Sequence, residues 1–213
     1  MTASSLNHAI RNAAGPQNQS KIEVPYIIRR ILLIFVFSCA PFATSALEFS
    51  THSNTSPSLT AILAKGPVLE GDVERLDAFL SLQPKRSRTA IYLASPGGSL
   101  YEGMRLGRYF TRNHVQTVIE GGNDCASACA IAFLGGRDRN GQVWRSSSDN
   151  SRLGFHAFSS SGQMPADENE TQHVVADVLS YARDVEAPLD LLIINFATPS
   201  QSIYWLSQLE ICG

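Results

Sequence analysis

An α/β domain over residues 59–213 is what this sequence predicts, and three observations carry the prediction. Short apolar runs alternate with segments of helical periodicity. The run at 89–94 is near-continuous rather than alternating, as in a parallel strand covered on both faces. Turns rich in glycine or proline separate the segments. Of the 213 residues 44% are hydrophobic, enough for one packed domain plus an extra segment. Parallel strands joined by helices imply right-handed crossovers, and no internal repeat is visible.

Residues 1–46 are read as an N-terminal extension with a signal peptide or anchor. A polar head leads into Arg29-Arg30, an apolar run from Ile31 to Phe37, then Pro41 and the small residues Thr44-Ser45-Ala46. The apolar run falls short of the roughly 20 residues of a stable spanning helix. The expected location is therefore periplasmic or secreted, with membrane attachment only through this segment if it is not cleaved. Cys39 after Val36-Phe37-Ser38 gives a lipoprotein signal as the alternative, which the bulky Phe37 fits poorly.

Residues 47–58, rich in Ser and Thr, read as a flexible entry segment. The domain at 59–213 then runs in order. Leu59 to Leu63 is a first strand ending at Gly66-Pro67. Val73, Leu76, Phe79 and Leu80 mark a helix that stops before Pro84. The strand at 89–94 ends at Ser95-Pro96-Gly97-Gly98. Ser99 and Glu102 have capping-box spacing ahead of a helix to about Arg112. Val115 to Ile119 is a third strand, followed by a Gly121-Gly122 turn. Asn123-Asp124 cap a small-residue helix over Ala126 to Leu134. Asn140-Gly141 signals a hairpin turn before Val143-Trp144. Leu153 to Phe158 is another strand. Val174 to Ala182 and Leu191 to Phe196 are helical, and Tyr204-Trp205-Leu206 closes the domain.

Seventeen basic residues against nineteen acidic ones leave a net charge of -2, with no footprint for nucleic acid. Cys125 and Cys129 have no His or further Cys nearby to complete a zinc site, so neither a metal nor a cofactor is expected. The pair reads as two small residues packed in a tight helix, with a disulfide as the alternative. Cleavage after Ala46 leaves Cys125, Cys129 and Cys212, an odd count with one thiol over.

Three places offer the parts of acyl transfer. Ser127, in Cys125-Ala126-Ser127-Ala128-Cys129, stands where a turn meets a helix N-terminus, whose free N–H groups favour developing negative charge. Gly98, after a buried strand, could turn its N–H toward a ligand together with that of Ala128, making an oxyanion hole. His156, in a short apolar strand, is the candidate general base. Each has a bland counterpart: a packed small serine, an ordinary glycine turn, a core histidine.

Their order along the chain resembles the proteolytic subunit of the Clp protease from about Leu59 to Ser160. It looks closer still to exported, largely uncharacterised bacterial relatives of that subunit with a similar Cys-Ala-Ser-Ala-Cys stretch. The resemblance implies a ClpP/crotonase-like fold of stacked ββα units and a serine peptidase acting through an acyl-enzyme on Ser127. His156 would be the base, Gly98 and Ala128 the oxyanion donors, a peptide or protein the substrate, and a homo-oligomer one arrangement. The family's aspartate is missing: residues 201–207 hold no carboxylate, and Ser202 is the nearest polar candidate for a third member. That gap supports a second reading, a catalytically silent interaction or assembly module on the same fold. A crotonase-like thioester enzyme, and a serine–lysine dyad using Lys65 or Lys85, are further alternatives.

Overall fold

The computed structural model describes residues 46–53, 56–158 and 167–207. Apart from Ala46, the expected signal segment with Cys39 lies outside the described residues, as does Cys212.

The main sheet begins where a flexible entry was expected. Strand β1 (Glu48–Thr51) pairs antiparallel with β2 (Leu59–Lys65). From there β2, β3 (Arg88–Ala94), β4 (Val115–Ile119) and β6 (Arg145–Ser147) run parallel in the order β1-β2-β3-β4-β6. Helix α1 (Asp72–Ser81) connects β2 to β3, and α2 (Leu100–Arg112) connects β3 to β4. Ile62, Leu76, Ile91, Leu106, Phe110 and Ile119 are at most 1% exposed, which places the core between the sheet and these helices.

A second, smaller sheet carries the region of interest. Strand β5 (Asp124–Ala126) pairs parallel with β7 (Arg152–Phe155), which pairs antiparallel with β8 (Tyr204–Trp205). Asn123-Asp124 were expected to cap a helix; instead Asp124 opens β5, and the helix that follows, α3 (Ala128–Phe133), starts only after Ser127. All six residues of α3 are buried. Gly103 of α2 lies so close to the Ala128 carbonyl that any side chain there would collide with it, which lets the two helices approach.

Helix α4 (Glu168–Asp184) starts earlier than its apolar periodicity suggested, because Asp167 caps a polar first turn by accepting from the Asn169 N–H. Helix α5 (Leu189–Ala197) follows Pro188. The Asn-Gly signal falls in a tight turn: the Asp138 N–H donates to the Gln142 carbonyl at 2.8 Å, and Arg137 bridges antiparallel to Val143. Among the described residues no helix is long and apolar enough to cross a membrane.

Candidate active site

Ser127 is the hinge between β5 and α3, and its backbone is unusual. Its φ of 57° and ψ of -125° are a conformation that few residues other than glycine adopt. Two hydrogen bonds hold it there: the Ser127 N–H donates to the Gly154 carbonyl at 2.9 Å, and the Ser127 carbonyl accepts from the Ile131 N–H at 3.1 Å. Gly97 supplies a third constraint. A Cβ at Gly97 would sit 2.6 Å from the Ser127 Cβ and 3.0 Å from the Ala128 nitrogen, so only glycine allows the two loops to meet.

The glycine loop is pinned on its other side by residue 68. The Val68 N–H donates to the Gly97 carbonyl at 2.8 Å, and the Ser99 N–H donates to the Val68 carbonyl at 2.9 Å. The Gly97 N–H is taken by the Ser95 hydroxyl at 3.1 Å. Among the described residues the N–H groups of Gly98 and Ala128 have no acceptor within the protein, and Ala128 is the first residue of α3. A helix start with unclaimed N–H groups is an electropositive end.

His156 follows β7 directly and is half-buried. Its Nδ1 lies 2.8 Å from the Ala157 carbonyl oxygen. A carbonyl only accepts, so this contact assigns the proton to Nδ1 and leaves the lone pair on Nε2. That is the tautomer a general base needs. The Ala157 N–H in turn donates to the Thr198 carbonyl at 2.8 Å, which ties the segment to the end of α5. Among the described residues no hydrogen bond joins the Ser127 hydroxyl to His156. The β5–β7 pairing, in which Ala126 stands opposite Gly154, nonetheless brings the two segments side by side.

Ser202, the expected third member, is not brought to the imidazole. It is exposed in a turn, with its N–H on the Pro199 carbonyl at 2.9 Å, and among the described residues it makes no bond to His156. The Ala157 carbonyl has the place at Nδ1 that was assigned to it. A main-chain acceptor one residue away needs no side chain and leaves no mark in the sequence.

The reading of Cys125 and Cys129 as packed thiols is overturned. They form a disulfide with a Cα–Cα distance of 5.2 Å, within the ordinary range for such bonds. Cys125 belongs to β5 and Cys129 to α3, and the reversal at Ser127 is what folds the one onto the other.

Beside this region lies a cleft of about 430 Å³. Ala94, Pro96, Ala126, Ile203 and Trp205 form its apolar walls, and Lys65 and Asp124 are its charged members. Ser127, Gly98 and His156 are not among its lining. Arg152 binds both carboxylate oxygens of Asp124, at 2.7 and 2.5 Å, and stacks 4.4 Å over the Trp205 ring, joining the three strands of the small sheet. The Arg152 guanidinium holds the Asp124 carboxyl below its usual range. Lys65, the residue of one alternative dyad, belongs to this cleft wall, and Lys85 lies in the loop after α1. Among the described residues no three His, Cys, Asp or Glu side chains converge as a metal site would require.

One contribution to the site escaped sequence reasoning. Glu102, on α2, is 2% exposed. Its backbone N–H donates to the Ser99 hydroxyl at 3.3 Å, half of the expected capping box. Its carboxylate reaches instead across to the Val73 N–H on α1 at 2.9 Å, and Arg105 donates to it at 2.7 Å. Asp72 acts alongside it, accepting from the Leu69 N–H at 2.7 Å. Together they fix the chain just after Val68, the residue that pins the glycine loop.

No family model matches the chain. No curated protein matches it. Among solved structures, a ClpP1 mutant from Listeria monocytogenes is similar, with a TM-score of 0.51 at 20% sequence identity over 70% of this chain and 84% of that one. At this level of identity the likeness is one of backbone, and on it the chain has a mixed α/β, ClpP-like fold.

Proposed function

We propose that this domain is a serine hydrolase, a peptidase in the first instance, with Ser127 as nucleophile, His156 as general base and the Gly98 and Ala128 N–H groups as oxyanion donors. The observation that carries the reading is the positive φ of Ser127 at the start of a buried helix. A non-glycine residue in such a conformation costs about 1–3 kcal/mol and is kept where its direction matters. The ClpP-like fold and the Nδ1 contact of His156, which leaves the lone pair on Nε2, support it.

In the proposed reaction the Ser127 Oγ adds to the acyl carbon as its proton passes to Nε2. The carbonyl oxygen becomes negative and is met by the two amides. Collapse expels the amine, which takes the proton from His156, and the acyl-enzyme is then released by water activated in the same way. The imidazolium formed at each stage has a neutral carbonyl at Nδ1 where the resembled family has an aspartate. A carbonyl orients the ring but supplies no negative charge. Turnover is therefore expected to be slow, since replacing that aspartate by its amide in another serine protease lowered kcat about 10⁴-fold.

Action outside the cytoplasm belongs to the proposal, resting on the signal-like N-terminus and on the Cys125–Cys129 bond, which oxidising compartments preserve. An ATP-driven unfoldase is not expected there, so the substrates would be short or already unfolded peptides. A homo-oligomer is part of the reading too, on the fold likeness and on exposed Leu189 and Ile193, one turn apart on α5. A monomer in sedimentation at micromolar concentration would remove that part.

Hydrolysis of a chromogenic peptide or ester by the purified protein is the test: wild type is expected to be active and Ser127→Ala inactive. Equal rates above buffer would refute the assignment. The second reading, a silent interaction module, is favoured by the missing Ser127–His156 hydrogen bond among the described residues, and it predicts that neither protein hydrolyses the substrate.

A further inference from the structure

The Cys125–Cys129 disulfide encloses Ala126, Ser127 and Ala128 in a ring, with a sequence separation of only four between the cysteines. The stabilisation expected from closing a loop grows with loop length, so a bond this local adds comparatively little to the global stability of the domain. Its leverage falls on the residues inside it. They include Ser127, with its positive φ, and Ala128, whose N–H at the first position of α3 has no acceptor among the described residues.

Both cysteines are buried, Cys125 at 0% and Cys129 at 1% exposure. Cys125 is anchored by the β5–β7 ladder, where it stands opposite Leu153, and by its bridge to Ser95. Cys129 is anchored in α3, whose residues are all in the core. The bond therefore links two fixed points across the one residue between them whose backbone is strained. With the bond open, the turn at Ser127 keeps its two hydrogen bonds and the fit of Gly97 but loses the covalent link across it.

We propose that this disulfide is a positioning element of the site and makes its reactivity conditional on oxidation. The inference rests on the reading of Ser127 as nucleophile. The bond sets the direction of the Ser127 hydroxyl and of the Ala128 N–H together, because both lie within the ring it closes. In the dithiol state Ser127 relaxes toward negative φ, and nucleophile and oxyanion donor no longer face one acyl carbon. The two thiols lose two electrons and two protons to form the bond, by exchange with an external disulfide that is itself reduced to two thiols. A chain still in a reducing compartment is then unreactive, and oxidation after export switches it on.

The test uses the full chain with Cys39→Ser and Cys212→Ser, so that no other thiol exchanges. A trialkylphosphine reduces part of the sample; each disulfide gains two electrons and two protons, and the phosphine becomes its oxide with oxygen from water. A fluorophosphonate is added for timed intervals. Quenching in denaturant with an alkylating agent then lets each molecule's mass report its redox state and its label. Labelling of the reduced fraction is expected to be about 10–100-fold slower than that of the oxidised fraction, the rate equivalent of the strain at Ser127. The pH profile of labelling should keep its shape, and on an ester substrate kcat should fall while KM stays. A role in stability alone would leave these ratios unmoved in molecules that circular dichroism shows to be folded.

Cys125→Ala/Cys129→Ala is expected to behave like the reduced fraction, and if it does not fold, the partly reduced protein decides. Equal labelling of the two redox states overturns the inference. If the oxidised protein does not label at all, it is the hydrolase reading that fails, and amide hydrogen exchange decides the positioning claim. Exchange at residues 127–131 should speed up at least about tenfold on reduction as the local structure opens, and no change overturns the claim.

Discussion

At the level of single residues, chemistry is separated from packing by backbone angles that composition does not reveal. Ser127 among alanines looks like a packed small residue, yet its positive φ, its bond to the Gly154 carbonyl and the glycine opposite it describe a serine whose direction is enforced. The order glycine loop, serine, histidine was legible because each sits next to a turn or strand that the sequence marks. The partner of His156 was not, since the Ala157 carbonyl belongs to every residue type alike. The disulfide was legible only as an alternative, because a spacing of four suits two packed thiols on one helix face equally well. His156→Gln removes the base and keeps a polar side chain of similar reach. Fluorophosphonate labelling should fall about 10²-fold, the lower end of general-base contributions, while the thermal midpoint stays put. Unchanged labelling would remove His156 from the mechanism.

At the level of elements, the strands that local pattern missed exist through pairing alone. Strand β1 is Ser/Thr-bearing and largely exposed, with no alternation to betray it, and forms because four of its residues pair with β2. Strand β5 is three residues long and completed by the distant β7. Its leading Asn-Asp pair imitates a helix cap, and the tertiary pairing wins over the local signal. The helices α1 and α2 were legible from their apolar spacing, but the clasp between them was not. Glu102 was expected to complete a capping box on its own helix and instead satisfies the Val73 N–H of the neighbouring one. Glu102→Ala leaves that donor without its acceptor and Arg105 without its buried partner. Unfolding in urea should show a loss of about 2 kcal/mol, the usual range for a hydrogen bond to a charged group. Because Val68 pins Gly97, hydrolytic activity should fall by more than the folded fraction does. A variant as stable as wild type would show that the clasp does not act.

At the level of the whole molecule, the charges set an acid response with two opposing parts. Arg152, Arg108 and Arg105 hold the carboxyls of Asp124, Asp184 and Glu74 below their usual values. Groups depressed in this way stabilise the fold above the unfolded pKa and lose that contribution as pH falls through the folded one. Asp72 runs the other way. Burial raises it above the ordinary aspartate value of 3.8, against the pull of the Leu69 N–H and Arg75. Between 3.8 and its raised value the folded state binds the proton more tightly than the unfolded chain, so acidification through that window adds stability. Urea midpoints should therefore fall as pH drops below about 4, where the depressed carboxyls take up protons, and on acidification through the window just above 3.8 wild type should gain on Asp72→Asn, which lacks the opposing part. Parallel curves for the two proteins would contradict the assignment.

The same three depressed carboxyls are surface groups whose pairing sequence spacing did not expose, because Arg108 and Asp184 or Arg152 and Asp124 meet only in the folded chain. The parallel α/β architecture, by contrast, was visible in the alternation of apolar runs and helical stretches.

Mass mapping of a fluorophosphonate adduct on the intact, oxidised protein tests the central claim most directly. A single phosphonyl group on Ser127, absent from Ser127→Ala under the same conditions, is the predicted result. An unmodified wild type, or an adduct that persists in Ser127→Ala, would contradict it.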